Sequence, residues 1–307
     1  MTQAAGSPRV REIREVASVG FLKELVARMG SAHVGAFASA LAYGAVFAIV
    51  PLLALVVSLL GVFNATDLVN RAMGELGAVL PADMTQLIDV QLSSVASTND
   101  RGAFGLGVII ATLVALWGVI GAMRRVMDAL NVVHRTEETR PALHKFGTSF
   151  LLAIGAIIII VSTLVIITVG GSAAERVFDV IGFGDSAASA WSIVRWPALL
   201  AIAWLGIASL YRFAPAARQV GGIATPGTLV ATVGWVAFSV VFSIYVGTVG
   251  SMSATWGAVA GIVVFLLYMQ YAATIVLLGA LIDVLLWDRS RPTSRVRRWL
   301  RRPPTKG

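Results

Sequence analysis

From Val34 to Ala65 the chain carries no charged side chain. A helix needs roughly 20 apolar residues to cross a hydrocarbon core about 30 Å thick, and inside that core every backbone polar group must be satisfied within the segment. An uncharged run of this length commits the chain to a helical membrane protein. Two details mark the run. Tyr43 follows Ser39 by four residues, so both hydroxyls share one helix face. Pro51 offers no N–H to the carbonyl of Phe47, which bends the helix there. A bent first span with a polar stripe suggests a helix that lines a route.

Five more apolar stretches follow. The expected architecture is an all-α integral membrane protein with six transmembrane helices, at about 37–63, 104–127, 146–170, 191–213, 225–249 and 256–287. Gly105, Gly107, Gly118 and Gly121 mark a close-packing face on the second span, and Pro197 falls in the first turns of the fourth. The membrane domain occupies residues 34–288. Ahead of it, residues 1–33 hold an amphipathic helix over 9–29, expected to lie flat at the membrane interface with the i,i+4 pair Glu24–Arg28. The connection between the first two spans is too long to lack structure, and its periodicity fits two short amphipathic helices on the outer face. Residues 289–307 form a basic tail. Only 13% of the residues are charged, against about one quarter in a soluble domain, which leaves no room for a large soluble part. Cysteine is absent, which excludes a disulfide frame, thiol redox chemistry and thiolate metal sites. No short apolar segment followed by a cleavage pattern is visible, so insertion by uncleaved spans is expected.

Charge sets the orientation. With the N-terminus inside, the inner segments hold all of the 24 Lys and Arg residues except Arg71, Arg101, Arg176 and Arg195. Cytoplasmic loops carry the excess of Lys and Arg, so both termini are expected on the cytoplasmic side. The net charge of +8 is then a topology signal. The partners it implies are membrane lipids, with anionic headgroups at the N-terminal helix and the C-terminal tail. No aromatic-rich folded platform accompanies the tail, so nucleic acid is not expected as a partner.

No P-loop, H-E-x-x-H, G-x-S-x-G or paired-Cys zinc spacing occurs, and no catalytic residue, metal site or cofactor is expected. Polar residues within spans carry more information, because each is costly in lipid unless it faces protein or water. Tyr43, Pro51, Gln270 and Tyr271 are the candidate lining of a pathway between spans one and six. For Gln270 an interhelical hydrogen bond holding the bundle ranks ahead of a substrate contact. At the inner ends Arg124, Asp128, Asn131, Arg212 and Asp283 fall at one depth. Asp283 is expected to pair with Arg212 or Arg124, as a fixed link or as a latch, since an unpaired carboxylate there is expensive. Gly257-x-x-x-Gly261 is a close-packing face, within the bundle or between the protomers of a homo-oligomer.

Four patches carry a family resemblance: Ala40-Leu41-Ala42-Tyr43 with Val50-Pro51-Leu52; Asp128-Ala129-Leu130-Asn131 with Arg140-Pro141; Tyr211-Arg212-Phe213-Ala214-Pro215; and Tyr245 with Trp256-Gly257, closing on Leu277-Leu278-Gly279-Ala280. In order and spacing they resemble the YihY/virulence factor BrkB family of bacterial inner-membrane proteins, once called ribonuclease BN. Family members often have Gly-Ala-Glu-x-Asn where this chain has Gly279-Ala280-Leu281-Ile282-Asp283, so the acid stands two positions on, about 200° around the helix. The resemblance implies a multi-pass protein of the bacterial inner membrane with a role in envelope integrity, and it supplies no catalytic residues. The function expected is transport or flipping of a lipid or amphipathic envelope component without an intrinsic ATPase. A non-catalytic scaffold for envelope proteins is the alternative, and a ribonuclease is the least expected.

Overall fold

The computed structural model describes residues 19–46, 101–168, 184–216, 224–249 and 253–290, and all regular structure among them is helical. In chain order the helices are α1 (Val19–Ser31), α2 (Val34–Val46), α3 (Arg101–Val133), α4 (Ala142–Thr168), α5 (Gly184–Phe213), α6 (Pro226–Val249) and α7 (Ser253–Ser290). Within these residues four stretches are long and apolar enough to cross a membrane: Ala142–Ile167, Ile193–Phe213, Pro226–Thr248 and Gly261–Arg289. They correspond to the expected spans three to six. The first expected span coincides with α2 as far as Val46, and the expected second span lies within α3. Pro51, the rest of the first span, the outer-face helices of the first loop and the tail beyond Ser290 lie outside the described residues.

Helix adjacency closes a cycle: α3 packs on α4, α4 on α5, α5 on α6, α6 on α7, and α7 returns to α3. Large apolar side chains such as Leu113, Trp117, Ile158, Ile193, Val241 and Ile244 are exposed. A surface of that kind is tolerable in lipid and a liability in water. The tightest packing sits at one end of the bundle. There Phe21 of α1, Val34 of α2, Met127 and Leu130 of α3, and Leu277, Leu281 and Leu285 of α7 form one buried cluster.

Several boundaries differ from the sequence expectation. Helix α3 continues six residues past the expected end of its span, because Ala129, Leu130 and Val133 remain buried in the end cluster. It closes with Thr136 N–H donating to Asn131 C=O (2.9 Å) and Arg135 N–H to Val132 C=O (3.0 Å). This is the double hydrogen bond of a Schellman cap, with Arg135 at φ 51° in the position usually given to glycine. Helix α5 starts at Gly184, so Pro197 lies in its interior and withholds the N–H owed to Ile193. Helix α6 begins as its sequence dictates: Thr225 accepts a hydrogen bond from Thr228 N–H (3.1 Å), and Pro226 fills the first helical position, where a missing N–H costs nothing.

At Gly118 and Gly121 the expected close-packing face of α3 is not where the bundle tightens. Nothing lies within 4 Å of where a Cβ on Gly118 or Gly121 would sit. The tight crossing is α6 on α7, at Gly227 and Gly279. A Cβ on Gly279 would fall 2.6 Å from Gly227 C=O and 2.6 Å from Ala231 Cβ.

Helix α1, expected to lie at the membrane interface, docks on the bundle. Phe21 is fully buried beneath the Arg289 guanidinium, which lies 5.0 Å from the ring centre. The expected Glu24–Arg28 pair forms at 3.2 Å, Arg28 also reaches Asp288 (2.8 Å), and Arg289 reaches Glu24 (2.8 Å). Four charges thereby tie α1 to the last turn of α7. Val19, Leu22 and Val26 remain exposed on the opposite side.

Candidate functional site

Among helices α2 to α7 lies a cavity of about 900 Å³. It exists because facing positions on five helices are small: Gly44 and Ala45 on α2, Ala122 on α3, Gly155 and Ala156 on α4, Ala203 and Gly206 on α5, and Ala272 and Ala273 on α7. On α4 the lining residues Thr148, Leu151, Leu152, Gly155, Ala156, Ile159 and Ile160 form one i, i+3, i+4 stripe. The remaining walls are apolar, with Met123, Leu210, Trp235 and Met269 among them. At the end where α3 and α5 terminate and α4 begins, the lining turns basic with Arg125, Arg140, His144 and Arg212. No carboxylate is among the described lining residues.

The helices proposed from sequence as the route, spans one and six, both contribute walls, through Leu41, Gly44 and Ala45 on α2 and Met269, Ala272, Ala273, Val276 and Leu277 on α7. The side chains singled out on them do not line this cavity. Tyr43 is exposed on another face of α2, and Ser39 donates to Gly35 C=O of its own helix (3.0 Å). Tyr271 packs against Phe238 of α6, ring centres 5.7 Å apart. Its neighbour Tyr268 reaches Ser239 across the same contact at 3.0 Å. Gln270 is half-buried between the two faces. A helix turns about 100° per residue, so a shift of one position moves a side chain from the α6 contact to the cavity.

The inner-end residues are brought to one end of the bundle but not into one network. Arg124 lies over the Phe146 ring (5.2 Å) and Arg212 over the Phe213 ring (5.8 Å). Asp128 pairs with Lys145 at 2.7 Å. Neither arginine pairs with Asp283, and that expectation is corrected. Asp283 instead accepts from Thr225 Oγ1 (2.5 Å) and from Gly227 N–H (2.7 Å). It thus caps the N-terminus of α6, where orphan N–H groups and the helix dipole stabilise a carboxylate. Tyr211 adds a further tie by donating to Val276 C=O.

The third network centres on Asn131, Glu138 and Arg140. Asn131 donates to Glu138 (3.0 Å) and accepts from Ala216 N–H (2.7 Å). Arg140 grips both oxygens of Glu138 and donates to Ala214 C=O (2.8 Å). One loop carboxylate and one amide thereby fasten the end of α3 to the end of α5. Sequence reasoning gave Glu138 and Arg140 no joint role. Their signal was an acid and a base two apart in a stretch ending at Pro141, a spacing that faces the two together only in extended backbone.

The hydrogen bonds from Arg140 hold the Glu138 carboxyl down to about 2, from an ordinary 4.5. Burial pushes His134 below its usual range, against a hydrogen bond from its ring to Leu130 C=O. Both groups prefer their high-pH form when folded, so stability falls in acid: protonation takes away what Glu138 gains from Arg140, and charging the buried His134 ring adds a cost. For Glu138 the window runs from about 4.5 down toward 2. The expected result is an acid-side loss of thermal stability worth about 1–2 kcal/mol after solvent screening. That component should vanish in Glu138→Gln when melting temperature is followed against pH. Identical acid limbs in the two proteins would contradict it.

Among the described residues no group of three or more His, Cys, Asp or Glu side chains stands close enough to hold a metal ion. No solved structure matches the chain. A ribonuclease-like protein of Bacillus subtilis (strain 168), YfkH, is 28% identical over 274 residues, covering 89% of this chain and 97% of its own. The family model of the virulence factor BrkB matches residues 25–302. Three of the four sequence patches of the resemblance meet at the basic end: Asn131 and Arg140 bind the backbone at Ala214 and Ala216, and Tyr211 binds that of Val276 beside Gly279. The chain is a multi-pass membrane protein of the virulence factor BrkB family.

Proposed function

We propose that this protein is a carrier of the bacterial cytoplasmic membrane that moves a lipid or other amphipathic envelope component across the bilayer, without hydrolysing nucleotide and without being an enzyme. The observation that carries this reading is the cavity of about 900 Å³, apolar along most of its length and basic at one end. Its size is at the upper end of small-molecule sites, roughly 300–1,000 Å³, and fits part of a lipid rather than a polymer. In this reading six spans place both termini and the basic end on the cytoplasmic side, in line with the positive-inside rule. YfkH carries a ribonuclease-like name; for this chain we propose no RNA cleavage, and purified protein given RNA with magnesium or manganese should leave it intact.

The test is translocation of a fluorescent phospholipid in vesicles reconstituted with the full chain, read by reduction of outer-leaflet dye. The protein should accelerate exchange over empty vesicles. Gly155→Trp should slow it roughly tenfold, because nothing lies within 4 Å of a Cβ at Gly155 and the indole would fill the cavity. Gly247→Trp is the control: its Cβ position is equally open, and Gly247 does not line the cavity. Exchange no faster than in empty vesicles would refute the carrier. Exchange unaffected by Gly155→Trp would move the route elsewhere.

A further inference from the structure

We infer that the basic end of the cavity binds the phosphate-bearing, anionic headgroup of a lipid, with Arg125 and Arg212 as its ligands and the apolar walls receiving the chains. This deepens the carrier reading, on which it rests for the ligand being membrane-borne.

Three observations lead to it. First, charge in the site is unbalanced. Arg125, Arg140 and Arg212 line the cavity, and no described lining residue is acidic. Second, no described acid forms an ion pair with Arg125 or Arg212. Asp128 holds Lys145, Glu138 holds Arg140 and Asn131, and Asp283 caps α6. Among the described residues Arg125 and Arg212 therefore have no carboxylate partner, while Arg140 spends its guanidinium on Glu138 and a backbone carbonyl. Arg125 is exposed and Arg212 half-buried, so their planar forks of donors are open to phosphate oxygens, which they match in geometry. Third, both guanidinium groups are positioned. Gly44 lets the α2 backbone close on Arg125, since a Cβ there would fall 2.6 Å from Nη1, and Arg212 lies over the Phe213 ring. The apolar walls, Leu151 and Ile159 among them, distinguish a lipid from a free phosphate: a soluble anion has no use for them.

The test is native mass spectrometry of the full-length protein released from detergent, with added phosphatidylglycerol, phosphatidylcholine of the same chains, or glycerol phosphate. The wild type should bind phosphatidylglycerol about tenfold tighter than phosphatidylcholine. Arg125→Gln and Arg212→Gln should each erase most of that preference and leave phosphatidylcholine binding unchanged, which also reports that the fold is intact. Arg125→Lys and Arg212→Lys should keep a reduced preference. Arg195→Gln, on α5 and outside the cavity lining, should change nothing. Equal binding of the two lipids by wild type, or a preference that survives the double Gln variant, overturns the assignment. Glycerol phosphate binding as tightly as phosphatidylglycerol overturns the lipid in favour of a soluble anion. A preference that depends on the two arginines in a protein that moves no lipid would refute the carrier and leave this site standing. Lipid exchange without the preference would do the reverse.

Discussion

Gly227→Ala should lower the unfolding temperature in detergent by roughly 5–10 °C, corresponding to about 3 kcal/mol. The added Cβ would press on Gly279 C=O and come within 2.5 Å of Asp283 Cγ. Backbone on a packed neighbouring helix cannot turn aside as a long side chain can, so α6 and α7 must separate. Gly279→Ala should act similarly, because its Cβ meets Ala231, Gly227 C=O and the Tyr211 hydroxyl. Gly247→Ala lies on the same helix as Gly227, with nothing within 4 Å of its Cβ, and should leave the melting temperature within error. Equal behaviour of the three variants would show that the α6–α7 crossing is not close-packed.

Asp283→Ala should cost about 2–4 kcal/mol, through the donors it strands rather than the volume it removes. The carboxylate takes Gly227 N–H and the Thr225 hydroxyl, in a position only 8% exposed. Without it the first turn of α6 has donors facing an apolar neighbour. Asp283→Asn retains an acceptor but loses the charge that complements the helix N-terminus, and should cost about 1 kcal/mol. Thermal unfolding of the purified chain in one detergent ranks the three proteins. A latch that had to open would behave differently: Asp283→Ala would leave stability nearly intact and alter translocation alone.

Both predictions concern residues that the sequence marked unevenly. Asp283 stood out because a carboxylate within a span must find a partner, and that much was legible. The partner was not. Arginines at the same depth looked sufficient, yet the start of α6, with Thr225 ahead of Pro226, supplied hydroxyl and amide donors instead. Gly227 and Gly279 were not singled out for close packing, whereas Gly118 and Gly121 were and face open space. Glycine permits close approach without specifying it. The candidate pathway shows the same limit: α2 and α7 do wall the cavity, but through Gly44 and Ala273 and their neighbours rather than Tyr43, Gln270 and Tyr271.

By itself the sequence determined the class and the helical content of this protein, and the charge asymmetry on which its orientation is proposed. These follow from the free energy of placing polar groups and charges in hydrocarbon, a term that each segment obeys without reference to the others. Only the tertiary structure decided which face of each helix is internal. In water that choice is visible, because a buried face is apolar and an exposed one is not. In lipid both faces are apolar, so composition around the helix barely changes and periodicity carries no inside-to-outside signal. The cavity, the Gly227–Gly279 crossing and the two cavity arginines without carboxylate partners are consequences of helix rotation and register, which arise only when the helices pack together.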